Sequence, residues 1–253
     1  MIDGHCHLDS KIGNCSEAVE FLLKEAPSAG IEGLVLINLP EQGFTNKQVL
    51  RICRGKGRYF RTVFGINPLC KNAKEELETL RGSQAVGIKL HPRLHGYNLM
   101  CDAAVAIAEK AADAGLAVFV DSFCDGRNLA LGNDPGVFLR FAETTGARMA
   151  LCHSGGHRIM DMLMVAKSCT NIWLDLSYTL LYFRNSSTVV DQVKFAIGSM
   201  RGKRIFWGSD YPDRPYETTV TMTLKLLGNM SLSSAVFNAV SRSNVLEMLG
   251  EDH

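Results

Sequence analysis

Eight apolar runs of strand length recur along this chain, roughly thirty residues apart, and that repetition restricts the fold more than any other feature. They begin near Met1 (MIDGHCH), Gly33 (GLVLINL), Tyr59 (YFRTVFGINP) and Ala85 (AVGIKLHP). The series continues near Leu116 (LAVFVDSF), Arg148 (RMALCHSGG), Asn171 (NIWLDLS) and Arg204 (RIFWGSDYP). Most are almost continuously hydrophobic, as parallel strands covered on both faces must be. The segments between them read as helices. Asp102–Ala114 (DAAVAIAEKAADA) is rich in helix formers, is N-capped by Asp102 in this reading, and stops at Gly115. Thr45 and Gln48 form a capping-box pattern ahead of Val49, Leu50 and Ile52. Gly30, Gly115 and Gly146 each stand where a helix must end before the next strand. Eight βα units in 253 residues predict a single-domain (β/α)8 TIM barrel over residues 1–253. An open doubly wound sheet is the alternative, but no G-x-G-x-x-G follows the first strand.

In such a barrel the chemistry lies at the C-terminal ends of the strands, and the polar residues of these runs collect there. Strand 1 ends in His5-Cys6-His7. Residues two apart in a strand share a face, so both imidazoles can aim into the mouth and bind one metal ion. Strand 4 ends in Lys89-Leu90-His91, strand 5 in Asp121, strand 6 in His153 and strand 8 in Asp210. A buried carboxylate at Asp210 needs a partner: metal, arginine or backbone donors would serve, and the upstream H-x-H favours metal. His153 reads either as a site residue or as a satisfied core histidine. Lys89 reads as site residue or ion-pair member, and His91 as ligand or turn-former ahead of Pro92. His95 and His157 read as solvated loop residues. The loop Cys124–Gly136 is expected to border the pocket, and Tyr178–Ser187 to form a substrate wall or a subunit contact.

Composition removes several function classes. Net charge is +1, from 27 basic and 26 acidic side chains, so there is no broad electrostatic reason to expect nucleic acid or an anionic membrane as partner. Eight cysteines without a C-x-x-C pair read as reduced, buried residues. No apolar stretch reaches the roughly 18 residues of a membrane span, and MIDGHCHLD carries no signal-peptide pattern, so a cytoplasmic protein is expected.

Taken in order, MIDGHCH, GIKLHP, LCHSGG, DLS and GSDYP resemble the amidohydrolase superfamily. The likeness is nearest to its amidohydrolase-related branch, which includes aminocarboxymuconate semialdehyde decarboxylase-like proteins. Ser243–Leu249 resembles the closing helix of that branch. The resemblance implies His5 and His7 as metal ligands, His153 as a strand 6 residue that binds metal or orients substrate, and Asp210 as ligand and proton-transfer group. The family usually places a histidine at the end of strand 5, where this chain has Asp121. Asp121 would then ligate through oxygen, or His91 would supply the nitrogen. Lys89 raises a carboxylated lysine bridging two ions as a further arrangement. The implied cofactor is one or two divalent ions, zinc first, with manganese or iron as alternatives. Lys89, His91 and Arg93 are expected to bind substrate, Lys89 and Arg93 by clamping an anionic group. The expected reaction is metal-assisted hydrolysis of a C–N or C–O bond (amide, lactone or ester) in a small molecule, with Asp210, His153 and Lys89 as catalytic residues. Non-oxidative decarboxylation is the rival on the same fold. A TatD-like metal-dependent deoxyribonuclease shares the MIDGHCHLD opening, but this chain has GIKLHP where that family carries a glutamate. A catalytically degenerate binding module is the non-enzyme reading. Barrels of this kind often pair, so a homodimer is the candidate assembly.

Overall fold

A computed structural model describes residues 1–56 and 59–251. All eight expected runs form strands: β1 (Ile2–Cys6), β2 (Gly33–Asn38), β3 (Phe60–Gly65), β4 (Ala85–Leu90), β5 (Ala117–Asp121), β6 (Met149–Cys152), β7 (Ile172–Asp175) and β8 (Ile205–Phe206). They lie side by side in sequence order, each parallel to the next. The chain is thus a (β/α)8 TIM barrel.

Period-two alternation sorts each strand into two cores. Leu34, Leu36, Val118, Val120, Leu151 and Leu174 point outward into the layer shared with the helices. Val35, Ile37, Val63, Phe119, Cys152, Trp173 and Phe206 point inward and fill the barrel. Val245, Leu246, Met248 and Leu249, on the closing helix Asn244–Leu249, join that inner cluster. The buried Asn244 side chain ties this helix to the barrel by donating to the Gly202 and Ile205 carbonyls, both at 2.7 Å. The same alternation carries the polar residues to the mouth: Phe119 and Asp121 share the inner face of β5, as Trp173 and Asp175 share that of β7. In β1 the pairing shifts register between Asp3 and Cys6, so that Ile2 and His5 both turn inward although three residues apart.

The seam between the last and first strands closes differently. β8 has only two residues, and the gap is spanned by Gly4 N–H donating to Trp207 O (3.2 Å), Asp210 N–H to His5 O (2.8 Å) and His7 N–H to Tyr211 O (2.8 Å). A Cβ on Gly4 would lie 2.6 Å from the Trp207 carbonyl, and one on Gly208 would lie 2.8 Å from the His5 amide nitrogen, so both positions need glycine for backbone to meet backbone. Asp3, fully buried, locks the same seam by accepting from Ser209 N (2.8 Å) and Tyr216 OH (3.0 Å).

Local expectations fare well with two exceptions. The Thr45–Gln48 capping box forms, and Gly30, Gly115 and Gly146 all have positive φ. Asp102, however, is the first helical residue of Asp102–Asp113 rather than its cap, which is Cys101. Nor is His95 a solvated loop residue: its side chain is 6% exposed and its Nε2 lies 2.8 Å from Glu41 Oε1, joining the loops after β2 and β4. The cysteines are all free, and five of the eight are buried. Among the described residues no helix is long and apolar enough to cross a membrane.

Candidate metal centre at the barrel mouth

A cavity of about 340 Å³ opens at the C-terminal ends of the strands, lined by His5, His7, Lys89, Arg93, His153 and Asp210 among others. A larger groove, about 890 Å³, lies outside the barrel against the helices Asn46–Cys53 and Ala73–Arg81 and gathers no comparable cluster.

The histidine tautomers follow from their partners. His5 Nδ1 lies 2.5 Å from Asp175 Oδ2. His7 Nδ1 lies 2.7 Å from the Ile37 carbonyl, which can only accept. Both Nδ1 atoms therefore carry the proton, and both Nε2 atoms present lone pairs. These lone pairs converge: His5 Nε2 to His7 Nε2 is 3.2 Å, and Asp210 Oδ1 is 3.4 Å from the first and 3.6 Å from the second. Three acceptors thus face one point with no proton among them. A cation there resolves the repulsion, and the spacings match the edge of about 3.3 Å expected for a tetrahedron of ligands around 2.0 Å from zinc. The donor set of two imidazoles and one carboxylate fits a divalent ion, and His5, His7 and Asp210 are the residues that would hold it.

Protonation states agree with that geometry. Burial lowers the pKa of His5 and keeps its imidazole neutral, as a ligand must be. Burial alone would raise Asp210, but the imidazoles of His153, His7 and His5 around it hold its carboxyl well below the usual range. Asp210 also sits at φ 53°, a conformation uncommon outside glycine. Its amide is fixed there by the His5 carbonyl.

Asp175, the aspartate of the DLS motif, is given no role in the sequence reading. It is fully buried at the end of β7, its Oδ2 on His5 and its Oδ1 accepting from Ser177 N at 2.8 Å. A carboxylate behind a ligating imidazole fixes the ring and raises its basicity. An Asp175→Asn variant is expected to fold normally but to bind zinc about 10- to 100-fold more weakly. Competition titration against a chromophoric chelator measures this; unchanged affinity would remove Asp175 from the site.

The remaining expected residues form a second, adjacent cluster. Asp121 is not brought into the His5–His7–Asp210 group. Arg93 takes both of its oxygens, Nε at 3.1 Å and Nη2 at 3.2 Å, and Asn128 donates to it at 3.3 Å. Burial would raise Asp121, but His91, His153 and Arg93 hold its carboxyl down at about 2. His91 is likewise outside the ligand group: its Nδ1 accepts from the Leu94 amide and lies 3.6 Å from Asp121, and burial pushes its pKa down to about 3. Arg93 is no free clamp either, because Asp121 and Asp125 (3.3 Å) already compensate its charge. The guanidinium is offered two carboxylates within the protein, and a substrate anion would have to compete with both. Asp125 and Asn128 belong to the loop after β5, which was expected to border the pocket; none of its residues lines the cavity, and it reaches the cavity wall through Arg93.

Lys89 is 1% exposed on the inner face of β4 and lines the cavity. Burial works against its charge, but Cys152, Asp121 and Asp175 more than offset it and raise its pKa. His153 Nδ1 lies 3.1 Å from the Ser177 carbonyl, which leaves Nε2 as an acceptor facing the cavity, 3.7 Å from Asp121. It sits beside the three converging ligands, with its ring centroid 5.2 Å from that of His5.

Comparisons with known proteins agree with this architecture. A zinc-bound amidohydrolase from Burkholderia multivorans superposes with a TM-score of 0.72 at 12% identity, over 99% of each chain. A probable 2-pyrone-4,6-dicarboxylic acid hydrolase from Acinetobacter baumannii gives 0.72 at 15% identity, over 98% of each chain. A 5-carboxyvanillate decarboxylase from Sphingomonas paucimobilis gives 0.60 at 14% identity, over 91% of this chain and 82% of the other. At these identities the likeness establishes the fold. No curated protein matched the sequence. The amidohydrolase family model aligns with residues 2–250, nearly the whole chain, and by that match this protein belongs to the amidohydrolase family.

Proposed function

We propose that this chain is a metal-dependent hydrolase that cleaves a C–N or C–O bond, as in an amide, lactone or ester, of a small anionic molecule. The observation that carries the reading is the convergence of His5 Nε2, His7 Nε2 and Asp210 Oδ1, three acceptors within 3.2–3.6 Å of one another, with both imidazole Nδ1 atoms already anchored. A divalent ion bound by these residues, zinc in the first instance, supplies Lewis acidity that acidifies water and polarises a carbonyl oxygen. The remaining work falls to the chain. Asp210, ionised and 15% exposed at its side chain, accepts the proton of the attacking water and passes it to the leaving group. The Lys89 ammonium attracts an anionic substituent into the cavity, a role that the paired Arg93 is less free to play. His153, with a lone pair on Nε2, accepts a hydrogen bond from substrate or water; as a neutral acceptor it is not suited to stabilise an oxyanion. One ion is favoured over two, since Asp121 is engaged by Arg93 and His91 Nδ1 by the Leu94 amide, and the two do not frame a second site.

The test is a zinc-loaded screen of amides, esters and lactones bearing a carboxylate, run beside an assay for carbon dioxide release from aryl carboxylates. Hydrolysis without carbon dioxide release is expected. Carbon dioxide release without hydrolysis would replace this reading with the decarboxylase one.

A further inference from the structure

Beside the cavity, Ser177–Tyr178–Thr179 makes a turn that its own residues do not favour. Tyr178 has φ 61° and ψ −53°. The Thr179 amide donates to the Ser177 carbonyl at 2.6 Å. This is a γ-turn of the rare, strained hand, which a bulky residue adopts only when its surroundings impose it. Here they do. Ser177 N donates to Asp175, the Ser177 hydroxyl lies 3.0 Å from His5 Nδ1 and 3.2 Å from His153 Nδ1, and the Thr179 hydroxyl donates to the His153 carbonyl. The turn is therefore bolted to the residues that aim the histidines.

The strain fixes where the Tyr178 ring goes. It packs edge-on against His153 (centroids 5.8 Å apart) and Phe123 (5.5 Å) and stacks on Tyr182 (4.9 Å). His153, against which the ring packs, lines the cavity together with Asp210 and Asp213, and Tyr178 stands behind that wall. Burial, Asp213, Tyr182 and Asp210 together raise its pKa, so the hydroxyl remains a donor at neutral pH. Among the described residues that hydroxyl has no hydrogen-bond partner. A glycine would adopt this turn without strain. A phenylalanine would fill the aromatic cluster as well as tyrosine does. Neither accounts for an unengaged donor held in place beside His153, a residue of the cavity wall.

We infer that Tyr178 contacts the substrate, its hydroxyl donating a hydrogen bond to a substrate oxygen at the barrel mouth. The inference deepens the hydrolase reading and rests on it. Its test compares wild type with Tyr178→Phe, both zinc-loaded, using coumarin-3-carboxylate, a lactone that bears one carboxylate and can be followed by fluorescence. Loss of one hydrogen bond predicts a Kd or kcat/KM about tenfold worse in the variant, with Tm and zinc content unchanged. Equal Kd and turnover in the two proteins would overturn the inference, as would a wild type that does not bind the probe. Should wild type bind the probe without opening its ring, hydrolysis of this lactone fails, while the ratio of the two Kd values still decides the role of Tyr178. A lowered Tm with unchanged Kd would assign the hydroxyl to folding instead and also overturn the inference.

Discussion

A His5→Ala/Asp210→Asn double variant is expected to lose its metal and its turnover together while keeping the barrel. Each substitution removes one of three acceptors that face a common point, leaving His7 alone, and one imidazole does not hold a divalent ion. Elemental analysis should find about one equivalent of zinc in the wild type and a trace in the variant. Turnover should fall roughly 10³-fold, the rate equivalent of losing several kcal/mol of Lewis-acid stabilisation. The fold should survive at a cost in Tm, because the seam contact at these positions runs through the His5 carbonyl and the Asp210 amide, while the lost imidazole leaves the buried Asp175 without one of its partners. Equal zinc in both proteins, or none in a reconstituted wild type, would end the metallohydrolase reading without touching the barrel.

Asp121→Ala is expected to do the reverse, costing stability and sparing the metal. The substitution strips a fully buried acceptor from Arg93 and Asn128 and leaves the guanidinium with Asp125 alone. Breaking a fully buried pair by removing one partner costs about 3–5 kcal/mol, and because the Arg93 side chain is 29% exposed, about 2 kcal/mol is the better expectation here. That corresponds to a fall in Tm of roughly 4–8 °C for a chain of this size. Thermal unfolding followed by circular dichroism reads the cost, and zinc analysis on the same sample reads the metal. Lost zinc with an unchanged Tm would make Asp121 a ligand after all.

These two variants also mark where the sequence was legible. The strands were readable because a parallel barrel buries both faces of every strand, so apolar runs stand out without any knowledge of what they pack against. His5 and His7 were readable because the two-residue period alone puts both rings on one face. The partners were not. Asp175 serves His5 from β7, 170 residues along the chain, and nothing near either residue announces the other. Asp121 stood out as a polar residue at a strand end and Arg93 as a cation just beyond one, but their mutual pairing depends on how the loop after β4 folds over β5. His95 looked solvated for the same reason, its partner Glu41 lying in a loop two strands away. The turn at Tyr178 carries neither glycine nor asparagine, so no residue type flagged its positive φ.

The closing seam of the barrel has a consequence for biogenesis. The candidate ligands come from the first strand and from the segment after the last, and one of the hydrogen bonds that join those two segments runs between His5 and Asp210 themselves. A partly made chain that has not reached Asp210, however much of the barrel it has assembled, owns only two of the three candidate ligands. The site therefore matures in the same event that seals the cylinder, and an ion captured there would act as a rivet, inserted once the last stave is in place and resisting its departure thereafter.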